Sequence, residues 1–238
     1  MTRRRWIADE VHGSRAFLKD SHADHLIRVL RVRVGQQFEI STGNQVLQGT
    51  VAAIHDHAVE FELGEEVPGA ALPLSITLAL AIFKFDRMEW VIEKGTELGV
   101  SRIIPVIAHR TDSHLASASA RRVERWQRIA LQAAQQCRRA VPPTIDAPMK
   151  VELATTLSAS ARILLAETEK ALSLRDALEE LPSGTDLMFA IGPEGGWTEE
   201  ELLGFRDRGW TAVTLGQTIL RAETAAIAAL ALASAFLA

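Results

Sequence analysis

The sequence predicts an α/β protein in two parts, a small β-rich unit followed by a larger parallel sheet covered by helices. Residues 36–63 hold short apolar runs separated by turn signals, which is typical of antiparallel strands. From Leu74 onward, apolar strands alternate with amphipathic helices, a pattern that implies a parallel sheet with helices on both faces. Residues 65–73 contain two Pro and a Gly and separate the two patterns. The predicted domains are therefore 1–72 and 73–238.

The β-rich unit is predicted to start with a helix at residues 22–32, whose apolar Leu26, Val29 and Leu30 share one face. Thr42-Gly43-Asn44 and the short link at 55–57 indicate hairpin turns between strands. Three strands separated by such turns indicate a small barrel. The predicted strands of this unit are 37–41, 46–54 and 58–63.

The second part has strong helix signals between its strands. Gly99 ends the first helix, and Thr198 with Glu201 forms a capping box at the fourth. The polar residues 108–120 are expected to be a mobile loop. The predicted strands are 75–83, 102–108, 162–167, 186–192 and 210–216. The predicted helices are 86–99, 118–139, 173–181, 198–209 and 223–238.

Composition excludes several classes of protein. The 238 residues are 47% hydrophobic and 24% charged, which excludes a disordered, collagen-like or rod-like chain. Cys137 is the only cysteine, so a disulfide framework or a cysteine-based metal cluster within one chain is excluded. The first residues lack the apolar region of a secretion signal, and the apolar run 225–238 is too short to span a bilayer. We expect a cytoplasmic protein.

The distribution of charge and the absence of several motifs limit the functions that the chain could have. The net charge is −4, yet basic residues concentrate in two blocks, 1–33 and 102–139. Either block alone is typical of a solvated helix surface, but two together favour a nucleic-acid partner. The P-loop, G-x-G-x-x-G, G-x-S-x-G and H-E-x-x-H motifs are absent. We expect no metal, although His109 and His114 near Asp112 leave that open.

Two loops with residues that could bind a ligand follow the ends of predicted strands. Strand 186–192 leads into Gly192-Pro193-Glu194-Gly195-Gly196, and strand 210–216 leads into a loop with an Arg-x-Glu-Thr cluster at 221–224. Each loop alone could be a tight turn or a helix cap. Both follow parallel strands, and ligands of open α/β sheets bind outside the carboxyl ends of the strands. We therefore expect the two loops to share one pocket.

These segments resemble the bacterial 16S rRNA (uracil-N3)-methyltransferases of the RsmE family, within the SPOUT superfamily. The resemblance runs nearly end to end, and the pair formed by GPEGG and ILRAETA is specific. It rests on residues 25–31, 93–99, 135–139, 191–196 and 215–225.

The resemblance implies a fold and a reaction. The first domain would be a PUA-like β-barrel that helps to hold RNA. The second would be a SPOUT domain with a trefoil knot and cofactor site at about 162–238. The implied enzyme is a homodimer that uses S-adenosylmethionine to methylate uridine N3 in small-subunit rRNA. Two alternatives stay open: methylation of another RNA position, such as a tRNA ribose 2′-hydroxyl, or a non-catalytic RNA-binding ribosome-assembly factor.

The resemblance also implies site residues. Because uridine N3 must lose a proton, we expect Arg139 and Arg221 to stabilise charge and Glu194 to act as a base or to stabilise its turn. The expected cofactor residues are Leu165, Glu167, Ile191, Gly192, Gly195, Gly196, Leu215, Gly216, Ile219, Leu220, Arg221, Thr224 and Ala225. The expected RNA contacts are Arg5, Arg28, Arg31 and Arg33, with Arg3 and Arg4 as further help.

The chain departs from the family pattern at three places. Arg138 stands where the family has glycine, and Gln135 stands where it has glutamate. A Glu-Arg-Ser-like segment is replaced by residues 109–113. We expect these departures to lie on the RNA side and not at the cofactor loops. Trp90 and Trp126 are expected to pack in the core or in a dimer interface.

Overall fold

A computed structural model describes residues 5–43, 45–67 and 74–237. The chain divides into two compact units. One comprises Met1–Ala71 and Leu131–Pro142, and the other comprises Leu72–Ala130 and Pro143–Ala238. Arg3, Arg4, Asn44 of the predicted turn and residues 68–73 of the predicted link lie outside the described residues.

The first unit contains a six-stranded sheet. Its strands are β1 (Trp6–Ile7), β2 (Glu10–His12), β3 (Arg15–Lys19), β4 (Gln37–Ser41), β5 (Val46–His55) and β6 (Ala58–Glu66). They are ordered β1-β4-β5-β6-β3-β2, and every neighbouring pair except β1 with β4 is antiparallel. The β5–β6 pairing shifts register twice, which increases the local twist of the sheet. Alternate strand residues such as Leu18, Ile40 and Phe61 are buried and form the core together with Trp6 and Leu26.

The helix expected at residues 22–32 begins and ends earlier than predicted. Helix α1 (Asp20–Asp24) continues as a π-helix, a wide turn over His25–Val29, closed by a hydrogen bond from the Leu30 N–H to the His25 carbonyl at 3.0 Å. The backbone then reverses at Arg31, whose φ is +51°. Leu26 is buried, but Val29 and Leu30 are exposed. The predicted apolar face is therefore wrong for these two residues, because the wide turn rotates them away from the core.

Residues 131–142 belong to the first unit. Their contacts show what Arg138 does at the position where the resembled family has glycine. The Arg5 N–H donates to the Gln135 carbonyl at 3.2 Å, and the Arg5 side chain donates to the Arg138 carbonyl. Arg138 has a φ of +64°, a conformation that glycine adopts without strain. Its guanidinium forms an ion pair with Glu39, which also binds Arg5. Arg138 thus combines a glycine-like backbone with an ion pair that glycine could not make.

The second unit is built on the predicted parallel sheet. Its strands are β7 (Ile76–Ala81), β8 (Arg102–Ile107), β9 (Thr144–Ile145), β10 (Met149–Lys150), β11 (Ala161–Leu165), β12 (Leu187–Ile191) and β13 (Thr211–Val213). The order is β10-β8-β7-β12-β11-β13, with β9 also paired to β8, and all pairs are parallel. Strand β11 therefore lies between β12 and β13, and their carboxyl ends share one edge.

Helices cover both faces of this sheet, as predicted. They are α2 (Phe85–Glu97), α3 (Ser113–Ser119), α4 (Val123–Gln136), α5 (Val151–Ala154), α6 (Leu174–Glu179), α7 (Glu199–Arg206) and α8 (Ala222–Leu237). Strand residues of one parity, such as Leu78, pack with Ile92 of α2 and Leu230 of α8. Those of the other parity, such as Ala79, pack with Phe205 of α7.

One predicted helix signal is confirmed by the structure, and one predicted loop is wrong. Thr198 and Glu201 form the predicted capping box of α7. The loop expected at 108–120 instead contains α3, because the Asp112 side chain accepts hydrogen bonds from the His114 and Leu115 N–H groups and caps a helix. Within the described ranges, no helix has the length and apolar character needed to cross a membrane.

Candidate active site

A cavity of about 430 Å³ lies where β11, β12 and β13 end in the second unit. That volume is within the range of small-molecule sites. Three loops line it, at residues 165–168, 191–197 and 213–222, together with Ala225, Leu202 and two arginines, Arg87 and Arg110. The position agrees with the expectation that ligands bind beyond the carboxyl ends of parallel strands.

Glycines form part of the cavity wall. Gly196 has a φ of +69° and Gly216 a φ of +128°, where a side chain is disfavoured. At Gly192, a Cβ atom would lie 3.1 Å from the Trp197 indole nitrogen. That indole is buried and donates to the Leu165 carbonyl at 3.2 Å, so it ties the loop after β12 to the end of β11. The three loops therefore present peptide groups to a ligand at short range.

Most of the expected cofactor residues meet in this cavity. Thr224 is exposed on the first turn of α8 and does not line it. Arg139 belongs to the first unit, where burial lowers the pKa of its guanidinium, and its catalytic role stays a prediction. The residues that line the cavity as expected are Leu165, Glu167, Ile191, Gly192, Glu194, Gly195, Gly196, Leu215, Gly216, Ile219, Leu220, Arg221 and Ala225.

Arg110 lies at the expected cofactor loops, where the sequence did not place it. It follows β8 and was expected to face RNA, but its Nη1 donates to the Gly195 carbonyl at 2.6 Å and to the Trp197 carbonyl at 3.4 Å. Its side-chain carbons also occupy the space next to Gly195. The neighbouring His109 N–H donates to the buried Glu201 carboxylate at 2.8 Å. The Arg110 contacts hold the glycine-rich loop in place at the cavity, and the His109 contact holds the residues after β8 against α7.

Arg87, on the first turn of α2, was not anticipated either. Its Nη1 donates to Glu194 Oε1 at 2.8 Å and lies 3.5 Å from Glu223 Oε1 at the start of α8. One guanidinium therefore joins the loop after β12 to the helix that follows the loop after β13. The sequence contains a signal for both arginines. Arg87 follows β7, Arg110 follows β8, and both strands end at the same edge of the sheet as the cavity loops.

The four expected RNA residues divide into two groups within the first unit. Arg5 is 6% exposed and bonded to Glu39 and the Arg138 carbonyl, so its guanidinium is engaged inside the fold. The expectation that Arg5 contacts RNA is therefore not supported by its position. Arg28, Arg31 and Arg33 are exposed.

No group of three His, Cys, Asp or Glu side chains is arranged to hold a metal ion among the residues that the structure describes. The His109 ring, one of the two histidines that left metal binding open, lies 3.3 Å from the Glu152 carboxylate.

The chain is similar to several known proteins. The family described as RNA methyltransferase domain matches residues 70–234. A ribosomal RNA small subunit methyltransferase E from Synechocystis sp. is 32% identical over 236 residues, which cover 92% of this chain and 73% of that protein. The chain belongs to the ribosomal RNA small subunit methyltransferase E family. The family predicted from the sequence motifs is confirmed.

Two solved structures of similar proteins have the same overall fold. A ribosomal RNA small subunit methyltransferase E from Neisseria gonorrhoeae, bound to S-adenosyl methionine, has a TM-score of 0.85 and 33% identity, and the match covers 96% of this chain and 95% of that one. A putative methyltransferase from Legionella pneumophila, in complex with the same cofactor, has a TM-score of 0.87 and 28% identity, covering 99% and 98%.

Proposed function

We propose that this chain transfers a methyl group from S-adenosylmethionine to N3 of a uridine in 16S rRNA of the small ribosomal subunit. The observation that carries the proposal is the cavity, with glycines in its wall, at the ends of β11, β12 and β13. Similar proteins of the same family carry S-adenosylmethionine in their crystal structures, and relatives are named for methylating small-subunit rRNA. The target atom follows from the motif resemblance.

The residues present fit this cofactor. Gly196 and Gly216 keep side chains out of the cavity at positive φ, so that a large, partly planar molecule can lie against the backbone. Ile219 and Leu220 add apolar surface beside the peptide groups. When bound, S-adenosylmethionine supplies an electrophilic methyl group for in-line displacement. The remaining work of the protein is to orient the uracil and stabilise its charge.

Arg221 is the group best placed to stabilise a deprotonated uracil. It lines the cavity and is exposed, and its guanidinium has no hydrogen bond or ion pair with any residue in the described ranges. A cation near the uracil oxygens lowers the barrier to losing the N3 proton. Glu194, in contrast, already accepts a hydrogen bond from Arg87. We therefore assign Glu194 to holding the cavity loop, and Arg221 to electrostatic stabilisation.

The fold and assembly follow from the same proposal. We assign the six-stranded sheet to a PUA-like barrel that holds RNA, and residues 162–238 to a trefoil-knotted SPOUT domain. We also propose a cytoplasmic homodimer. Trp126 is fully buried, but Trp90 on α2 is 46% exposed and Phe236 on α8 is 38% exposed. Since α2 and α8 pack together, these two exposed aromatic residues support a protein interface on this pair of helices.

The decisive experiment is methylation of small ribosomal subunits from cells that lack this enzyme. The purified protein and S-adenosylmethionine are added, and the nucleosides of 16S rRNA are analysed by mass spectrometry. We expect 3-methyluridine to appear with the wild-type chain and to be strongly reduced with Arg221→Ala. A methylated ribose or another methylated base would overturn the N3 assignment. S-adenosylmethionine binding without any methylated product would favour a non-catalytic assembly factor.

A further inference from the structure

One short segment of the first unit exposes apolar and basic side chains together. Within Arg28–Val34, the exposed apolar residues are Val29 at 65%, Leu30 at 48% and Val34 at 63%, and only Val32 is buried. Their exposed neighbours are arginines, at positions 28, 31 and 33. Apolar side chains normally leave water on folding, so three of them on one exposed segment indicate a surface that contacts something else.

This segment is fixed by backbone hydrogen bonds. The Val32 N–H donates to the Leu26 carbonyl at 3.1 Å, and the Gly35 N–H donates to the Val51 carbonyl at 2.8 Å. At its end, the Gln36 N–H donates to the Arg33 carbonyl at 3.1 Å, and the Gln36 side chain accepts from the Arg33 N–H at 2.9 Å. The left-handed Arg31 lies between these anchors. The exposure of Val29, Leu30 and Val34 is therefore built into the fold.

The charge around these apolar residues identifies the occupant. Arg28 forms an ion pair with the half-exposed Asp24, at 3.2 Å. Neither the Arg31 nor the Arg33 guanidinium has an ion pair in the part of the chain that the structure describes. A symmetric contact with a second copy would place these arginines next to the same arginines of the partner, and the like charges would repel each other. A polyanion with apolar faces suits the surface better, and RNA has both properties.

We propose that the Arg28–Val34 segment binds unpaired nucleotides, with bases packed on Val29, Leu30 and Val34 and phosphates on the arginines. This inference rests on the proposed function and names the form of RNA that the first unit contacts. In a duplex, the apolar base faces are stacked inside and only polar backbone and groove atoms reach such a surface, so the apolar residues would contribute little. Unpaired bases can turn outward and cover them.

The test compares two RNAs and two double variants of the full-length chain. The probes are a single-stranded RNA of about 16 nucleotides and the same RNA annealed to its complement. We expect Val29→Ser with Leu30→Ser to weaken single-strand binding about tenfold at every salt concentration, without changing the salt slope or duplex binding. Arg31→Ala with Arg33→Ala is expected to flatten the salt slope for both RNAs.

Matched controls separate this effect from misfolding. Leu153→Ser removes a comparably exposed leucine from α5 in the second unit and should leave RNA binding unchanged. Unchanged S-adenosylmethionine affinity and circular dichroism are expected for Val29→Ser with Leu30→Ser. If this variant binds the single strand as wild type does, the proposal is overturned. If it instead dissociates a dimer in sedimentation without loss of RNA affinity, the surface belongs to a second copy.

The outcome is distinguishable from failure of the proposed function. A chain that shows the expected differences in RNA binding but leaves small-subunit uridines unmethylated would contradict the reaction and support the surface. A chain that forms 3-methyluridine but binds the single strand equally well with Val29→Ser and Leu30→Ser would contradict the surface and support the reaction.

Discussion

Replacing Gly196 with alanine tests whether the backbone of the cavity loop shapes the cofactor site. Gly196 has a φ of +69°, and an alanine held there costs about 1–2 kcal/mol. Its Cβ would also lie 3.1 Å from Glu167 Oε1, but that carboxylate is the flexible end of a side chain and can move. Disfavouring the binding-competent loop by about 1–2 kcal/mol lowers the affinity for S-adenosylmethionine about five- to thirtyfold.

A second glycine provides a matched control. Gly184 has a φ of +76° in the turn before β12, and its Cβ would meet nothing within 4 Å. Gly184→Ala therefore imposes a similar backbone cost away from the cavity. Isothermal titration calorimetry gives the cofactor affinity, and urea unfolding gives the stability. We expect Gly184→Ala to lose stability without losing affinity, and Gly196→Ala to lose affinity because its loop relaxes in the free protein and must return to this conformation to bind the cofactor. Wild-type affinity in Gly196→Ala, or an equal loss in Gly184→Ala, would refute the reasoning.

Three further predictions follow from the same contacts. Arg221→Ala should lower turnover far more than stability or cofactor affinity, and normal turnover on small subunits would contradict its assigned role. Arg110→Ala should weaken cofactor binding in calorimetry because the Gly195 carbonyl loses its donor, and an unchanged affinity would show that the loop holds its shape without this contact. In the first unit, Arg138 and then Arg5 lower the pKa of Glu39, so its folded value lies below an unfolded value of about 4.3. Its stabilisation is present above that pH and is lost as the pH falls through the folded pKa, so Glu39→Gln should destabilise the protein at neutral pH and approach wild-type stability as the pH falls below that lowered pKa. A difference in unfolding free energy that does not change with pH would exclude this ion pair as its cause.

The sequence predicted the second unit better than the first. In the second unit, long apolar strands and amphipathic helices with clear caps repeat in order, so local signals agree with the final fold. In the first unit, β1 and β2 have only two and three residues and carry little periodicity. Residues 131–142 join this unit through long-range hydrogen bonds, such as Ser41 Oγ to the Ala140 carbonyl. No local pattern in the sequence predicts such a partner.

At the site, the sequence identified the loops but not what holds them. The glycines of the cavity are visible in the sequence because close approach of a ligand to the backbone needs residues without side chains. The order of strands is not visible, because β11 lies between β12 and β13 although it precedes both in the chain. Arg87 and Arg110 follow β7 and β8, which end at the same edge of the sheet, but neither lies in a glycine-rich motif that marks a ligand site.

The three arginines of the cavity have different tasks because two of them are already engaged. Arg110 donates to the Gly195 and Trp197 carbonyls, and Arg87 donates to Glu194. To serve as a base, Glu194 would have to leave Arg87, and the loop after β12 would lose a tie to α2. Arg221 makes no comparable contact with any described residue, so binding an anion there breaks nothing in the fold. For the proposed methylation of uridine, this arrangement favours stabilisation of the uracil charge by Arg221, with Glu194 kept in the cavity wall.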